Sequence, residues 1–161
     1  MGTPGDNDAE MRAIAAEKGF DSEFSLKAKD EAEEIKNNGI KESDCAGRRD
    51  FRKTLTFTID PDDAKDFDDA ISFRHLEQEY EIGIHIADVS HYVKAGSELD
   101  AKARERGTSV YLVDRTIPML PEELSDDLCS LVPDKDRLTM SVVFIMDKNA
   151  KVKSKWFGRT V

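Results

Sequence analysis

The chain has 161 residues and a formal net charge of −10, with 39% hydrophobic and 36% charged residues. This composition is typical of a soluble protein of about one domain's length, and no apolar run is long enough to span a bilayer. The excess of acid argues against a protein that binds nucleic acid through an electropositive surface of its own.

The N-terminus and the cysteines bear on the cellular compartment. Residues 1–6 carry neither the basic nor the apolar part of a secretory signal peptide. The two cysteines, Cys45 and Cys129, lie far apart and fit no metal-binding spacing. We therefore expect reduced thiols in a cytoplasmic protein, with Cys129 as a small buried residue.

Two helices are predicted before residue 50. The first begins at the capping pattern of residues 7–10 and ends at Gly19, and the second extends over residues 25–37 with Gly39 as its stop. The second helix has a narrow apolar stripe, formed by Ala28, Ala32 and Ile35. Because so little apolar surface is available, we expect this helix to pack weakly, or against a part of the protein outside this chain.

Downstream of residue 50, alternation with period 2 predicts strands, and capped segments predict short helices. The predicted strands cover residues 54–59, 70–73, 80–87, 109–113 and 138–146, with a last strand after a turn at 147–150. A helix that begins at Ser97 and is closed by Gly107, and another over residues 121–128, lie between strands. The expected fold is α+β, with a mixed or antiparallel sheet and short helices. Strand 54–59 should be half-buried, and strand 80–87 should pair with strand 70–73.

The most unusual stretch is residues 60–69, which hold six carboxylates in ten residues between two predicted strands. Like charges this close repel one another, so a folded loop holds them most readily around a cation. Oxygen ligands without Cys or His favour Mg²⁺, Mn²⁺ or Ca²⁺ over Zn²⁺. A calcium loop fails on spacing, because Ala64 or Ala70 would take a ligand position. What remains is a set of carboxylates able to hold Mg²⁺ against a phosphodiester, with a solvated acidic loop as the alternative.

Three further features have two interpretations each. The basic group Arg48, Arg49, Arg52 and Lys53 either neutralises the adjacent acids, which we favour, or contacts phosphate. His85 and His91 fit no common zinc spacing, so we expect structural roles for them. Tyr111 is either a core residue of its strand or a platform on which a nucleobase stacks.

A series of blocks, in this order and with plausible spacers, resembles the catalytic (RNB) domain of the RNase II/RNase R family of exoribonucleases. The blocks are residues 58–61, 66–70, 85–93, 107–112, 117–121, 124–125 and 128–131. The resemblance implies that residues 51–161 are the N-terminal part of that domain and that residues 1–50 are a helical linker segment preceding it.

The resemblance also implies roles for individual residues. Asp60, Asp66, Asp68 and Asp69 would be the four active-site aspartates. Asp60, Asp66 and Asp69 would hold Mg²⁺, for which Mn²⁺ could substitute, and Asp68 would be the carboxylate most critical for cleavage. Tyr111 would stack on a nucleotide near the RNA 3′ end. The activity implied is processive 3′→5′ hydrolysis of single-stranded RNA to nucleoside 5′-monophosphates.

The family's catalytic domain extends beyond the length of this chain and carries later Arg and Glu active-site residues, with cold-shock and S1 domains beside it. The resemblance therefore implies a truncated domain, inactive alone, whose partners are single-stranded RNA and the remainder of the same polypeptide. Two alternatives stay open: a non-catalytic module that binds metal or RNA, and an acidic interaction domain that meets a basic partner. Only the last predicts binding that is sensitive to salt but indifferent to chelators.

Overall fold

The computed structural model describes residues 5–20 and 23–161. Its strands are β1 Leu55–Phe57, β2 Asp69–His75, β3 Glu79–Ala87, β4 Val110–Tyr111, β5 Thr116–Ile117, β6 Thr139–Asp147 and β7 Val152–Thr160. Five of them form one sheet in the order β1-β2-β3-β6-β7, and every neighbouring pair is antiparallel. The strands β4 and β5 form a separate two-stranded sheet. The predicted pairing of strand 80–87 with strand 70–73 is confirmed.

The helices are α1 Asn7–Glu17, α2 Leu26–Asn38, α3 Glu42–Cys45, α4 Val89–Tyr92 and α5 Glu98–Arg106, followed by a π-helical turn at Leu124–Leu128. Serine caps explain where two of them begin, because the hydroxyls of Ser25 and Ser97 accept hydrogen bonds from the first turns of α2 and α5. Helix α5 ends at Gly107, which adopts the left-handed conformation at φ 71°. The α+β class with an antiparallel sheet and short helices is confirmed.

The five-stranded sheet has one covered face and one open face. The open face is apolar, and we define it by the side chains of Leu55, Phe57, Ile71, Phe73, Ile82, Ile84, Ile86, Met140, Val142, Phe144 and Phe157, which the strand register places on one side. Several of these side chains are strongly exposed, including Ile86 at 48% and Phe157 at 65%. The prediction of a half-buried strand over residues 54–59 is wrong, because β1 spans three residues and all are exposed. Alternation shows which side chains share a face, but it does not show which face is covered.

The covered face is polar. His85 is buried there, with Nδ1 2.7 Å from the hydroxyl oxygen of Ser141 and Nε2 2.8 Å from that of Ser72. The Phe51 ring packs edge-on against the imidazole. Gly83 leaves room for the imidazole of His85, since a Cβ at position 83 would lie 2.6 Å from its Nε2 atom. The structural role predicted for His85 is confirmed.

The hydrophobic core lies beside the sheet, among α2, α4, α5 and the π-helical turn. Ala28 and Ala32 of α2 are fully buried there against α5 and the π-helical turn, next to Leu99 and Leu124. The prediction that α2 packs weakly is therefore wrong: its stripe is narrow, but alanine lets the helix approach its neighbours closely. Cys129 is buried in this core, as predicted, and both cysteines are free thiols. Within the described ranges, no helix has the length and apolar character needed to cross a membrane.

Candidate active site

The acidic stretch forms the loop between β1 and β2, and its last residue, Asp69, begins β2. Asp60, Asp68 and Asp69 are exposed, whereas Asp66 is half-buried. Asp69 pairs with Ile86 across the sheet, which places its side chain on the same side as the open face. Asp60, Asp66 and Asp68 therefore lie on the loop that leads into β2, and Asp69, at the start of that strand, borders the open face.

The second half of this loop is held by hydrogen bonds to its backbone. The Ser130 hydroxyl donates to the carbonyl oxygen of Lys65 at 2.5 Å and accepts from the N–H of Phe67 at 3.0 Å. The N–H of Leu131 donates to the carbonyl oxygen of Phe67, and that of Ala87 donates to the carbonyl oxygen of Asp68. Sequence reasoning assigned no role to these residues. The only signal was that residues 128–131 form one of the blocks shared with the exoribonuclease family.

The charges of the loop act on Asp68. Although its side chain reaches the surface, the surrounding protein displaces part of its water, and this burial raises the pKa of Asp68. The negative charges of Asp66, Asp69 and Asp60 raise it further. The other three carboxylates are thus close enough to Asp68 to disfavour its negative charge, which is an electrostatic condition that a bound cation would relieve.

The four aspartates have the donor atoms for a hard cation but not the arrangement of a formed metal site. Their donor chemistry suits Mg²⁺ or Mn²⁺, because carboxylate oxygens are the ligands that such hard cations prefer. Across residues 5–20 and 23–161, however, no group of three or more His, Cys, Asp or Glu side chains is arranged to hold a metal ion. The assignment of Asp60, Asp66 and Asp69 as metal ligands therefore stays a prediction.

Tyr111 lies beside the acidic loop. It stands on β4 with 66% of its surface exposed, and its hydroxyl donates to Oδ2 of Asp66 at 2.7 Å. This hydrogen bond, followed by burial of the hydroxyl, raises the pKa of Tyr111 to about 12. The core interpretation of Tyr111 is wrong. Its role as a stacking platform stays a prediction, but its proximity to a predicted active-site aspartate is a finding that the sequence spacing could not supply.

The basic group before β1 does not neutralise the acidic loop, contrary to our prediction. Arg49 pairs with Glu81 at 2.6 Å, and Arg52 pairs with Asp50 and Asp136. Arg48 is buried and pairs with the buried Asp88 at 2.7 Å. Burial opposes ionisation of Asp88, but hydrogen bonds from Arg48 and Ser90 hold its pKa below the usual value. The segment turns towards β7, where the N–H of Arg49 bonds the backbone, so proximity in sequence misled the prediction.

Comparison with known proteins agrees with this picture. The family model of the RNB domain matches residues 48–161, so the chain belongs to the RNB domain family. Ribonuclease R of Thermotoga maritima is 57% identical over 114 residues, which cover 70% of this chain and 16% of that protein. Ribonuclease R 1 of Lactococcus lactis is 46% identical over 153 residues, covering 94% of this chain and 19% of that protein. The resemblance drawn from the sequence is confirmed.

A solved structure, Mycoplasma genitalium RNase R in complex with ribose methylated single-stranded RNA, superposes with a TM-score of 0.81 at 29% identity. The match covers 99% of this chain and 25% of that chain. The chain therefore spans a quarter of this solved structure and less than a fifth of the two curated relatives, at 16% and 19%.

Proposed function

We propose that the chain is the N-terminal part of the catalytic domain of a Mg²⁺-dependent exoribonuclease. The complete polypeptide, by which we mean the longer protein that would carry this chain, degrades single-stranded RNA processively from its 3′ end to nucleoside 5′-monophosphates in the cytoplasm. The chain alone is inactive. The observation that carries the proposal is the loop of four aspartates in an RNB fold, with the Tyr111 hydroxyl bonded to Asp66.

The residues of the site have different proposed roles in hydrolysis. Asp60, Asp66 and Asp69 would hold Mg²⁺, which would supply positive charge to neutralise the scissile phosphate. Asp68 orients the attacking water, and the hydrogen bonds on the loop keep its carboxylate in place. The exposed ring of Tyr111 offers a surface for a nucleobase beside this site.

The remainder of the polypeptide is proposed to cover the open face and to supply most of the contacts that bind RNA. An apolar sheet face of this extent is unusual on a protein that works alone, and it marks a surface that another part of a protein covers. The net charge of −10 gives this chain little attraction for phosphate, so the basic contacts must come from elsewhere.

The first experiment compares Asp68→Asn with Asp63→Asn in the complete polypeptide. Asp63 is an exposed residue of the same loop to which no role is assigned, so its substitution controls for the loss of one charge. Asp68→Asn should lower turnover of single-stranded RNA by about 100-fold or more, because water is no longer oriented for attack. The dissociation constant for RNA should change by less than about 3-fold, and Asp63→Asn should stay near wild type.

Chelation separates this proposal from its alternatives. EDTA should abolish hydrolysis by the wild-type polypeptide, and Mg²⁺ or Mn²⁺ should restore it. Normal turnover by Asp68→Asn would contradict the role proposed for Asp68 in the active site. Binding of a partner that weakens with salt, ignores EDTA and occurs without hydrolysis would favour an acidic interaction domain instead.

A further inference from the structure

Ser130 connects the folded core to the backbone of the acidic loop. It lies just after the π-helical turn and is fully buried, at 0% exposure. A hydroxyl has one proton to donate and two lone pairs, and Ser130 uses both capacities, on the Lys65 carbonyl and on the Phe67 N–H. One side chain therefore bonds the backbone on both sides of Asp66.

Ser130 is itself held by the core. Its N–H donates to the carbonyl oxygen of Asp127 at 2.9 Å, and its carbonyl oxygen accepts from Nε of Arg137 at 2.8 Å. Arg137 is nearly buried and also donates to Oδ1 of Asp127 at 2.9 Å. The hydroxyl thus has a position set by packed and hydrogen-bonded residues, which makes it a firm anchor for an otherwise irregular loop.

Apart from the bond that the Tyr111 hydroxyl makes to the Asp66 carboxylate, the other bonds to this part of the loop come from main-chain N–H groups, which only a substitution by proline would remove. Among the hydrogen bonds of the described residues, the Ser130 hydroxyl is the one side-chain group that bonds the backbone of residues 65–69. Without it, the groups that flank Asp66 would lose their partners. The backbone on both sides of Asp66 would then be held less firmly, although the Tyr111 hydroxyl would still bond the Asp66 carboxylate.

We propose that Ser130 is a positioning residue of the aspartate site, which sets the placement of Asp66 and, through Phe67, of Asp68. The proposal rests on the proposed function, since these carboxylates must act on RNA for their placement to matter in turnover. Catalytic groups must be held within about 0.5 Å of their working geometry. A displacement of about 1 Å can cost on the order of 100-fold in rate. Ser130 supplies this precision without touching substrate.

The test compares Ser130→Ala with Ser125→Ala in the complete polypeptide. Ser125 belongs to the same π-helical turn, but its hydroxyl bonds Asp126 and does not reach the loop. Ser130→Ala should lower kcat for single-stranded RNA by about 10- to 100-fold and leave KM within about 3-fold. Ser125→Ala should leave both constants near wild type. A purely structural role would reduce the yield of folded protein without lowering kcat per folded molecule.

A second readout does not depend on activity. In this chain, the amide proton of Phe67 should exchange with solvent at least about 10-fold faster in Ser130→Ala, because its hydrogen bond is gone. If Ser130→Ala does not fold, the nearly isosteric Ser130→Cys replaces it and should show the same changes at smaller size, since a thiol is a weaker donor.

The outcomes separate the two proposals. An unchanged kcat in Ser130→Ala, or an equal loss in Ser125→Ala, overturns the role of Ser130. An inactive wild-type polypeptide overturns the proposed function instead, and the exchange rate of Phe67 then still decides whether Ser130 holds the loop. Unchanged exchange of that amide overturns the inference on its own.

Discussion

His85 is a buried titratable residue on which the pH dependence of stability should depend. Burial, with a smaller contribution from the positive charge of Arg49, lowers the pKa of His85 to about 4. The unfolded chain would titrate near 6.5, so it binds more protons than the folded chain between pH 4 and 6.5. Above pH 6.5 the imidazole is neutral in both states, so the stabilisation that depends on a neutral His85 is present in full. Between that pH and 4, the free energy of unfolding should fall by about 3 kcal/mol.

This prediction is checked by urea unfolding at several pH values, beside NMR titration of the imidazole. Replacing the ring by His85→Asn should lower stability at neutral pH but remove the contribution of His85 to the pH dependence between 4 and 6.5, leaving that of His91, whose pKa burial also lowers. A measured imidazole pKa near 6.5 in the folded wild-type chain would contradict the prediction, as would an unchanged pH dependence in the variant.

Residue-level inference from sequence succeeded where the chemistry was local. The crowding of the aspartates and the poor zinc spacing of His85 were visible in the sequence itself. Contacts between distant residues were not visible, because they depend on how strands and loops are placed in space. The hydroxyl of Tyr111 reaches Asp66 across 45 residues, and Arg48 reaches Asp88 across 40. The bond from Ser130 to Phe67, across 63 residues, was missed for the same reason.

Helix α2 makes a prediction at the level of elements, because its packing depends on small side chains. Ala32 is fully buried, so Ala32→Leu should overfill the contact with α5 and the π-helical turn and lower the free energy of unfolding by about 1 to 3 kcal/mol. Ala101→Leu places the same side chain at an exposed position of helix α5 and should change stability by less than about 0.5 kcal/mol. Chemical denaturation of both variants is the measurement. Equal stability of the two would mean that α2 is only loosely attached.

Elements with strong local signals were predictable, and their surroundings were not. Helix α5 begins and ends where its serine cap and its glycine indicate, and β3 follows the alternation of its residues. The segment Thr116–Ile117 lies outside the predicted strands, but it forms β5 because its pairing with β4 is a tertiary contact. The π-helical turn has no sequence signal of its own. The burial of α2 was missed because the helix supplies little apolar area and relies on its neighbours for the rest.

At the scale of the whole molecule, the aspartate site adjoins the open face through Asp69. Asp69 stands at the end of β2 on the side of the open face, opposite Ile86. Whatever covers that face therefore also borders Asp69, the last of the four aspartates. This arrangement fits the proposal that the remainder of a longer catalytic domain packs on the sheet and completes the site, and it gives a physical reason for the inactivity proposed for the chain alone.

The last prediction tests that packing with one substitution in two contexts. Ile84 lies in the middle of the open face, opposite Ile71 and Val142. In this chain alone, Ile84→Lys should cost about 1 kcal/mol or less, because the ammonium group reaches water. It should also reduce the binding of the apolar dye ANS. In the complete polypeptide the same substitution would bury an unpaired charge and should cost about 3 kcal/mol or more. Val113→Lys, at a fully exposed position, is the matched control and should be tolerated in both. If Ile84→Lys cost the same in both, the open face would remain in contact with water in the complete polypeptide, and the proposed packing would be wrong.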